Sequence, residues 1–191
     1  EAVAAAESQK QWADRPEVGA IFESSFRRHG VPLRYRPSAQ VMVWRALRTE
    51  LVTEDGIIGP VCTATRVQRE LEVLYPLPTP GSGYVRGFID LLAEIDGRYY
   101  VLDWKTDVIP DYSRASVRAH VDSYELQIQL YSVALSRLLG GDRERFGGLL
   151  YLFVRGLVGD DDGTRGLFAT RPSAAELDAA YASLKGVGHG N

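Results

Sequence analysis

Asp90, Asp103 and Lys105, in the stretch "GFIDLLAEIDGRYYVLDWKTD", set up a chemistry that a core-filling strand has no use for. Between the two acids lies Asp96-Gly97, a dipeptide that favours the type I′ turn of a two-residue hairpin. That loop pairs Ile95 with Arg98, and counting back along both strands pairs Asp90 with Asp103. Paired residues share a face, with Cβ atoms roughly 4.5–5.5 Å apart. Lys105, two positions beyond Asp103, falls on that face too. Two carboxylates so placed repel each other and drive one toward protonation unless a cation lies between them. A hard divalent ion takes oxygen donors and keeps waters for a substrate phosphate. Beside an ammonium it suits phosphodiester hydrolysis. The plain alternative is a strand end with solvated acids, and a bulge in either strand would shift the register.

Two further sets of residues could join this centre. Glu70 and Glu72 share one face of the preceding strand, so either could enter a metal shell, or both could line an exposed strand face. Tyr124, Gln127 and Tyr131 fall at i, i+3 and i+7 on one helical stripe. That stripe would face a polar cleft and hold DNA or water, or else be a core stripe with a buried amide. Asp107 and Asp111 are read as loop residues.

The elements that must position these groups follow from periodicity. Residues 1 to 60 read as helices and loops, with "GAIFESSFRRHG" stopped by Gly30 and "SAQVMVWRALRTELV" as one helix behind an N-cap at Ser38. From about residue 65 the period becomes two: "TRVQRELEVLYPL", "YVRGFIDLLAEI" and "RYYVLDWKT" are strands, the first two separated by the Pro/Gly loop "PLPTPGSG". "SVRAHVDSYELQIQLYSVALSRLLGG" is one long helix. "GGLLYLFVRGLV" is nearly all apolar, as a strand covered on both faces would be. "LFATR" is a short strand, and a closing helix starts at a Ser173/Glu176 capping box. The expected fold is α/β: a mixed central sheet flanked by helices, with an N-terminal helical segment over 1–60 and a core over 61–191.

Composition narrows the function classes. A chain of 191 residues, 45% hydrophobic and 25% charged, is ordinary globular material. It contains no stretch of about 18 apolar residues, so no membrane span is expected. One cysteine, Cys62, excludes an internal disulfide and a cysteine-held iron–sulfur cluster, and fits a reducing cytoplasm. The net charge of −3 gives no global attraction to nucleic acid, so contact with DNA needs a local groove or a bound cation. Lysine is scarce, only Lys10, Lys105 and Lys185 among 22 basic residues, which singles out position 105. The run Asp160–Asp161–Asp162 lacks EF-hand spacing and reads as a solvated turn. "FRRHG" and "RYR" could touch DNA phosphates, but read first as a solvated helix end. No P-loop is present, so these residues are not an ATP-driven motor.

The motifs "GFIDLLAEIDGRYYVLDWKTD" and "YELQIQLYSVAL", with "FGGLLYLFVRG" and "TRP" behind them, resemble the nuclease domains of RecB-type helicase–nucleases, relatives of the AddA nuclease domain in the PD-(D/E)XK superfamily. The likeness covers roughly residues 65 to 185. It implies a restriction-endonuclease-like core, Asp90 and Asp103 as metal ligands with the backbone carbonyl of Trp104, Lys105 as the motif lysine, and Gln127 and Tyr131 as the QxxxY pair. It further implies Mg2+, with Ca2+ or Mn2+ as substitutes, and an exonuclease or endonuclease acting on single- or double-stranded DNA ends in a bacterial cytoplasm. The partners it implies are RecC- and RecD-like subunits, the helicase part of the same chain, and RecA. Ile89 stands where the superfamily name has proline, as is usual in the RecB branch. The family's upstream G-x-x-x-H motif is not found here. "EAVAAAE" resembles the residues that follow it, and with Glu1 in place of Met the chain reads as a piece of a longer protein. The rival function is a docking module for sister subunits or RecA, with cleavage secondary or lost.

Overall fold

A computed structural model describes residues 2–76, 84–158 and 163–186. In chain order its elements are α1 (Gln9–Ala13), α2 (Pro16–Arg28), α3 (Arg36–Arg48), β1 (Leu51–Thr53), β2 (Gly56–Ile58), β3 (Arg66–Pro76), β4 (Tyr84–Ile95), β5 (Arg98–Lys105), α4 (Arg114–Val121), α5 (Glu125–Leu138), β6 (Phe146–Phe153), β7 (Leu167–Thr170) and α6 (Ala174–Gly186). The five strands β3 to β7 form one sheet in sequence order. Only the β5–β6 pair is parallel, and α4 and α5 make the crossover that a parallel pair requires. The mixed sheet flanked by helices is thus present as expected.

Two apolar layers clamp the sheet. On one face Leu92, Val101, Leu149, Tyr151 and Phe153 pack with Val117, Leu130, Val133 and Leu135 of the crossover helices and Leu184 of α6. On the other, Leu91, Ala93, Ile95, Leu102, Leu150 and Leu152 pack with Ala46 of α3, Leu51 and Ile58. A small third cluster, Trp12, Val18, Phe22 and Phe26 among it, holds the first helices together. Leu47 borders both the second and third clusters, so residues before 60 are packed onto the sheet.

Three local readings are corrected. The helix expected to run on through "TELV" ends at Arg48, and Leu51–Ile58 is a β-hairpin, so the segment before 60 is not purely helical. β-Branched Val52, Thr53, Ile57 and Ile58 flank the two-residue turn Glu54-Asp55, and Gly56, paired with Thr53, has φ +124. The long helix after β5 is broken: Asp122–Tyr124 form a 3-10 turn between α4 and α5, where the Ser123 hydroxyl donates to the His120 carbonyl at 3.0 Å. Finally, Glu70 adopts φ +52, outside the strand region. The capping box is as read: the Ser173 amide donates to Glu176 Oε2 at 2.7 Å, and the Glu176 amide to Ser173 Oγ at 3.2 Å. The "PLPTPGSG" loop and the Asp160–Asp162 run lie largely outside the described residues.

Candidate active site

The β4–β5 hairpin turns through Asp96 (φ +50) and Gly97 (φ +77), as a type I′ turn requires, and its ladder runs in the expected register from Ile95–Arg98 to Leu91–Leu102. Asp90 and Asp103 are the next residues along, and there the ladder stops. In its place the Trp104 amide donates to Asp90 Oδ2 at 2.9 Å, so a side chain takes over the work of a backbone acceptor. The β3–β4 ladder skips the same row: Arg69–Leu91 and Leu71–Ile89 pair, Glu70–Asp90 do not. The side chains change face here. Leu71, Val73, Val85 and Ile89 pack toward α5, but beyond Asp90 it is Leu92, not Leu91, that does so. Asp90 therefore sits at a kink shared by two strands.

Asp103 is 4% exposed, among core side chains. Its Oδ2 forms a close ion pair with Lys105 Nζ. Burial, above all, lifts the Asp103 carboxyl above its usual range; Lys105 opposes this, while the charges of Asp90 and Asp107 add to it. Two further carboxylates thus act on Asp103, whose cationic partner is Lys105. Lys105 Nζ also donates to Gln127 Oε1 at 3.0 Å, and Gln127 Nε2 reaches Asp103 Oδ1 at 3.5 Å and the Tyr131 hydroxyl at 3.3 Å. Tyr131, 3% exposed, donates in turn to the Phe88 carbonyl just before Asp90. Gly87 makes room for this: a Cβ there would lie 3.1 Å from Tyr131 Cε1. One turn of α5 therefore ties the tip of β5 to β4.

The sequence-derived residues separate into those brought together and those set apart. Asp90, Asp103, Trp104, Lys105, Gln127, Tyr131 and Tyr124 converge. Tyr124 belongs to the 3-10 turn rather than to a continuous helix, yet its ring still lies under Lys105, with Nζ 3.9 Å from the centroid. Glu72 is elsewhere: it pairs with Arg86 at 2.5 Å while its neighbours Leu71 and Val73 pack toward α5. Glu70 lies in the Asp90 row but is exposed, and its left-handed backbone breaks the alternation that was to align it with Glu72. Three residues escaped sequence reasoning. Asp107 accepts the Tyr124 hydroxyl at 3.1 Å, and His120 Nε2 lies 3.7 Å from the same oxygen. Tyr151, fully buried, has its ring 5.1 Å from Lys105 Nζ and, among the described residues, a hydroxyl without a hydrogen bond. Burial holds that hydroxyl far above the ordinary tyrosine range. Tyr151 is hidden in an all-apolar run, and Asp107 lies past the strand end, where alternation gives no direction.

Among the described residues no three His, Cys, Asp or Glu side chains form a metal cage. The available donors are two carboxylates and a neighbouring main-chain carbonyl, all oxygen. A buried Asp103 carboxyl that feels the charges of both Asp90 and Asp107, with Lys105 as its cationic partner, fits a hard cation. Among the described residues no helix is long and apolar enough to cross a membrane.

The profile of the family described as the PD-(D/E)XK nuclease superfamily matches residues 1–186. RecBCD enzyme subunit RecB of Escherichia coli (strain K12) is 39% identical over 119 residues, 53% of this chain and 10% of that protein. The RecB subunit of Haemophilus influenzae is 35% identical over 114 residues, covering 52% and 9%. That of Mycolicibacterium smegmatis is 32% identical over 128 residues, covering 55% and 12%. The chain thus spans about a tenth of the length of these curated relatives.

Proposed function

Because the chain belongs to the PD-(D/E)XK nuclease superfamily, we propose that it is the DNA-cutting domain of a RecB-type helicase–nuclease, hydrolysing phosphodiester bonds while double-strand breaks are processed for recombinational repair. The observation that carries this reading is the convergence of Asp90, Asp103 and Lys105 where the hairpin ladder breaks. Asp90, Asp103 and the Trp104 carbonyl would hold a divalent ion. Mg2+ suits this set because it binds through one or two carboxylates and keeps waters for phosphate. Such an ion supplies Lewis-acid polarisation of a phosphoryl oxygen and a more acidic bound water.

The chain's own residues do the rest. Lys105, held beside Asp103 and Gln127, would offer its ammonium to the charge building on the phosphate oxygens. Gln127 holds the ammonium at the tip of β5, and Tyr131 fixes the β4 backbone that carries Asp90. In the overall step a water oxygen bonds to phosphorus, the phosphorus–oxygen bond to the leaving strand breaks, and a proton passes to the departing alkoxide. The relatives are named as subunits of RecBCD; by that likeness the chain works beside a helicase and RecC- and RecD-like subunits.

A Mg2+-dependent cleavage assay on the full-length protein tests this, with Asp103→Ala as control. Wild type is expected to cut and Asp103→Ala not to. If neither cuts while partner subunits still bind, the docking module is the better reading.

A further inference from the structure

Asp107 is a half-buried acid two residues past β5 that the proposed reaction leaves unused. Its surroundings are specific. Its Oδ1 accepts the Tyr124 hydroxyl at 3.1 Å, and its own carbonyl accepts the Tyr112 hydroxyl at 3.0 Å. The first contact fixes the side chain; the second fixes the main chain that carries it. The Tyr124 ring sits beneath the Lys105 ammonium, 3.9 Å from centroid to Nζ, and tilts against Tyr151 at 6.0 Å. His120 closes the far side edge-on, 6.1 Å from the Tyr124 ring and 5.8 Å from Phe153. Its Nε2 approaches Asp107 only to 3.7 Å, beyond hydrogen-bond reach.

Tyr124 needs such an anchor. It stands in the 3-10 turn between α4 and α5, where no regular helix sets its direction. Lys105 needs one as well, since a four-carbon stem has many rotamers and an ammonium has no fixed fork. An aromatic face attracts a cation only while ring and charge are aligned. Tyr124 stays a hydrogen-bond donor, because burial and then Asp107 raise its pKa.

We propose that Asp107 is a positioning residue: by accepting the Tyr124 hydroxyl it fixes the aromatic floor on which Lys105 stands. This rests on Lys105 being the group that meets the phosphate. The rival role for Asp107 is electrostatic, as a further negative charge drawing in a cation. Asparagine separates the two, since its amide oxygen still accepts a phenol but carries no charge.

The test uses the full-length protein with Asp107→Ala, Asp107→Asn, Tyr124→Phe and the double variant Asp107→Ala/Tyr124→Phe. Asp107→Ala and Tyr124→Phe should each lower kcat about 10–100-fold, the usual cost of losing a supporting partner, with KM little changed. The double variant should be no worse than either single, because both remove one contact. Asp107→Asn should restore kcat. A second readout needs neither metal nor DNA: competitive acylation of lysines, followed by mass spectrometry. Lys105 should label slowly in wild type and Asp107→Asn, and faster in the other three. Additive losses, an Asn variant as impaired as Ala, or Lys105 labelling that ignores Asp107 would each overturn the proposal. Cleavage that survives Asp103→Ala would instead remove the proposed function, while the labelling result would still report on the Asp107–Tyr124 contact.

Discussion

At the closed end of the β4–β5 hairpin, five residue pairs run from Ile95–Arg98 to Leu91–Leu102, and Ala93, Ile95, Val101 and Leu102 are wholly shut away from solvent. At the open end, one step further along the same two strands, Asp90 and Asp103 leave the ladder and a carboxylate substitutes for a backbone acceptor. The closed end satisfies backbone groups with backbone groups and fills space with hydrocarbon. The open end buries an acid against like charges. Such an arrangement persists only where its surroundings over-determine it. Here they do so through the two apolar layers and the Gln127–Tyr131 bridge. Stability and chemistry are therefore separable within one hairpin, and substitutions at its two ends should have opposite signatures.

Asp103→Asn should give the largest effect. It keeps the shape and removes the buried charge, so cleavage should fall on the order of a thousandfold, corresponding to several kcal/mol of lost charge stabilisation. Urea unfolding without metal should find the variant at least as stable as wild type. A variant that cuts normally, or one that unfolds far more easily, would erase the distinction between the ends. Leu102→Ala, at a position 0% exposed on the face away from α5, should do the reverse. It should lose about 2–5 kcal/mol of stability through lost burial and the cavity left behind. Cleavage per folded molecule should stay near wild type at temperatures where the protein remains folded. Gly97→Ala comes next. At φ +77 a Cβ is strained although nothing lies within 4 Å of it, so a loss of about 1–2 kcal/mol is expected, again without effect on cleavage.

This division also marks what could be read from sequence. Asp96-Gly97 set the hairpin register as far as Leu91–Leu102, one step short of Asp90 and Asp103, because a two-residue turn leaves no freedom in pairing. The face switch at Glu70 and Asp90 could not be read, since alternation assumes the pleat it is used to detect. Glu72, assigned by that alternation to a common face with Glu70, instead pairs with Arg86. Gln127 and Tyr131 were legible because four residues of helix fix their relation wherever the helix starts. Asp107, His120 and Tyr151 were not. Each comes into reach of Tyr124 through the 3-10 break and the parallel β5–β6 pairing, which are tertiary choices.

The smallest expected effect lies outside the hairpin and serves as its reference. Glu176 closes the capping box of α6, and the Ser173 backbone hydrogen bond, foremost, lowers its pKa below the usual range. A lowered carboxyl pKa in the folded state means that ionised Glu176 stabilises the fold. That contribution is complete above the ordinary glutamate range and is lost as pH falls through the lower, folded-state value. Glu176→Gln keeps an acceptor oxygen without the charge. Its deficit in unfolding midpoint should therefore be greatest near neutrality and shrink toward zero in acid, with cleavage untouched throughout. A deficit that held constant with pH would assign the cap to geometry alone. A change in cleavage would mean that α6, packed on the α5 side of the sheet, is coupled to the open end, and the hairpin could no longer be treated as two independent halves.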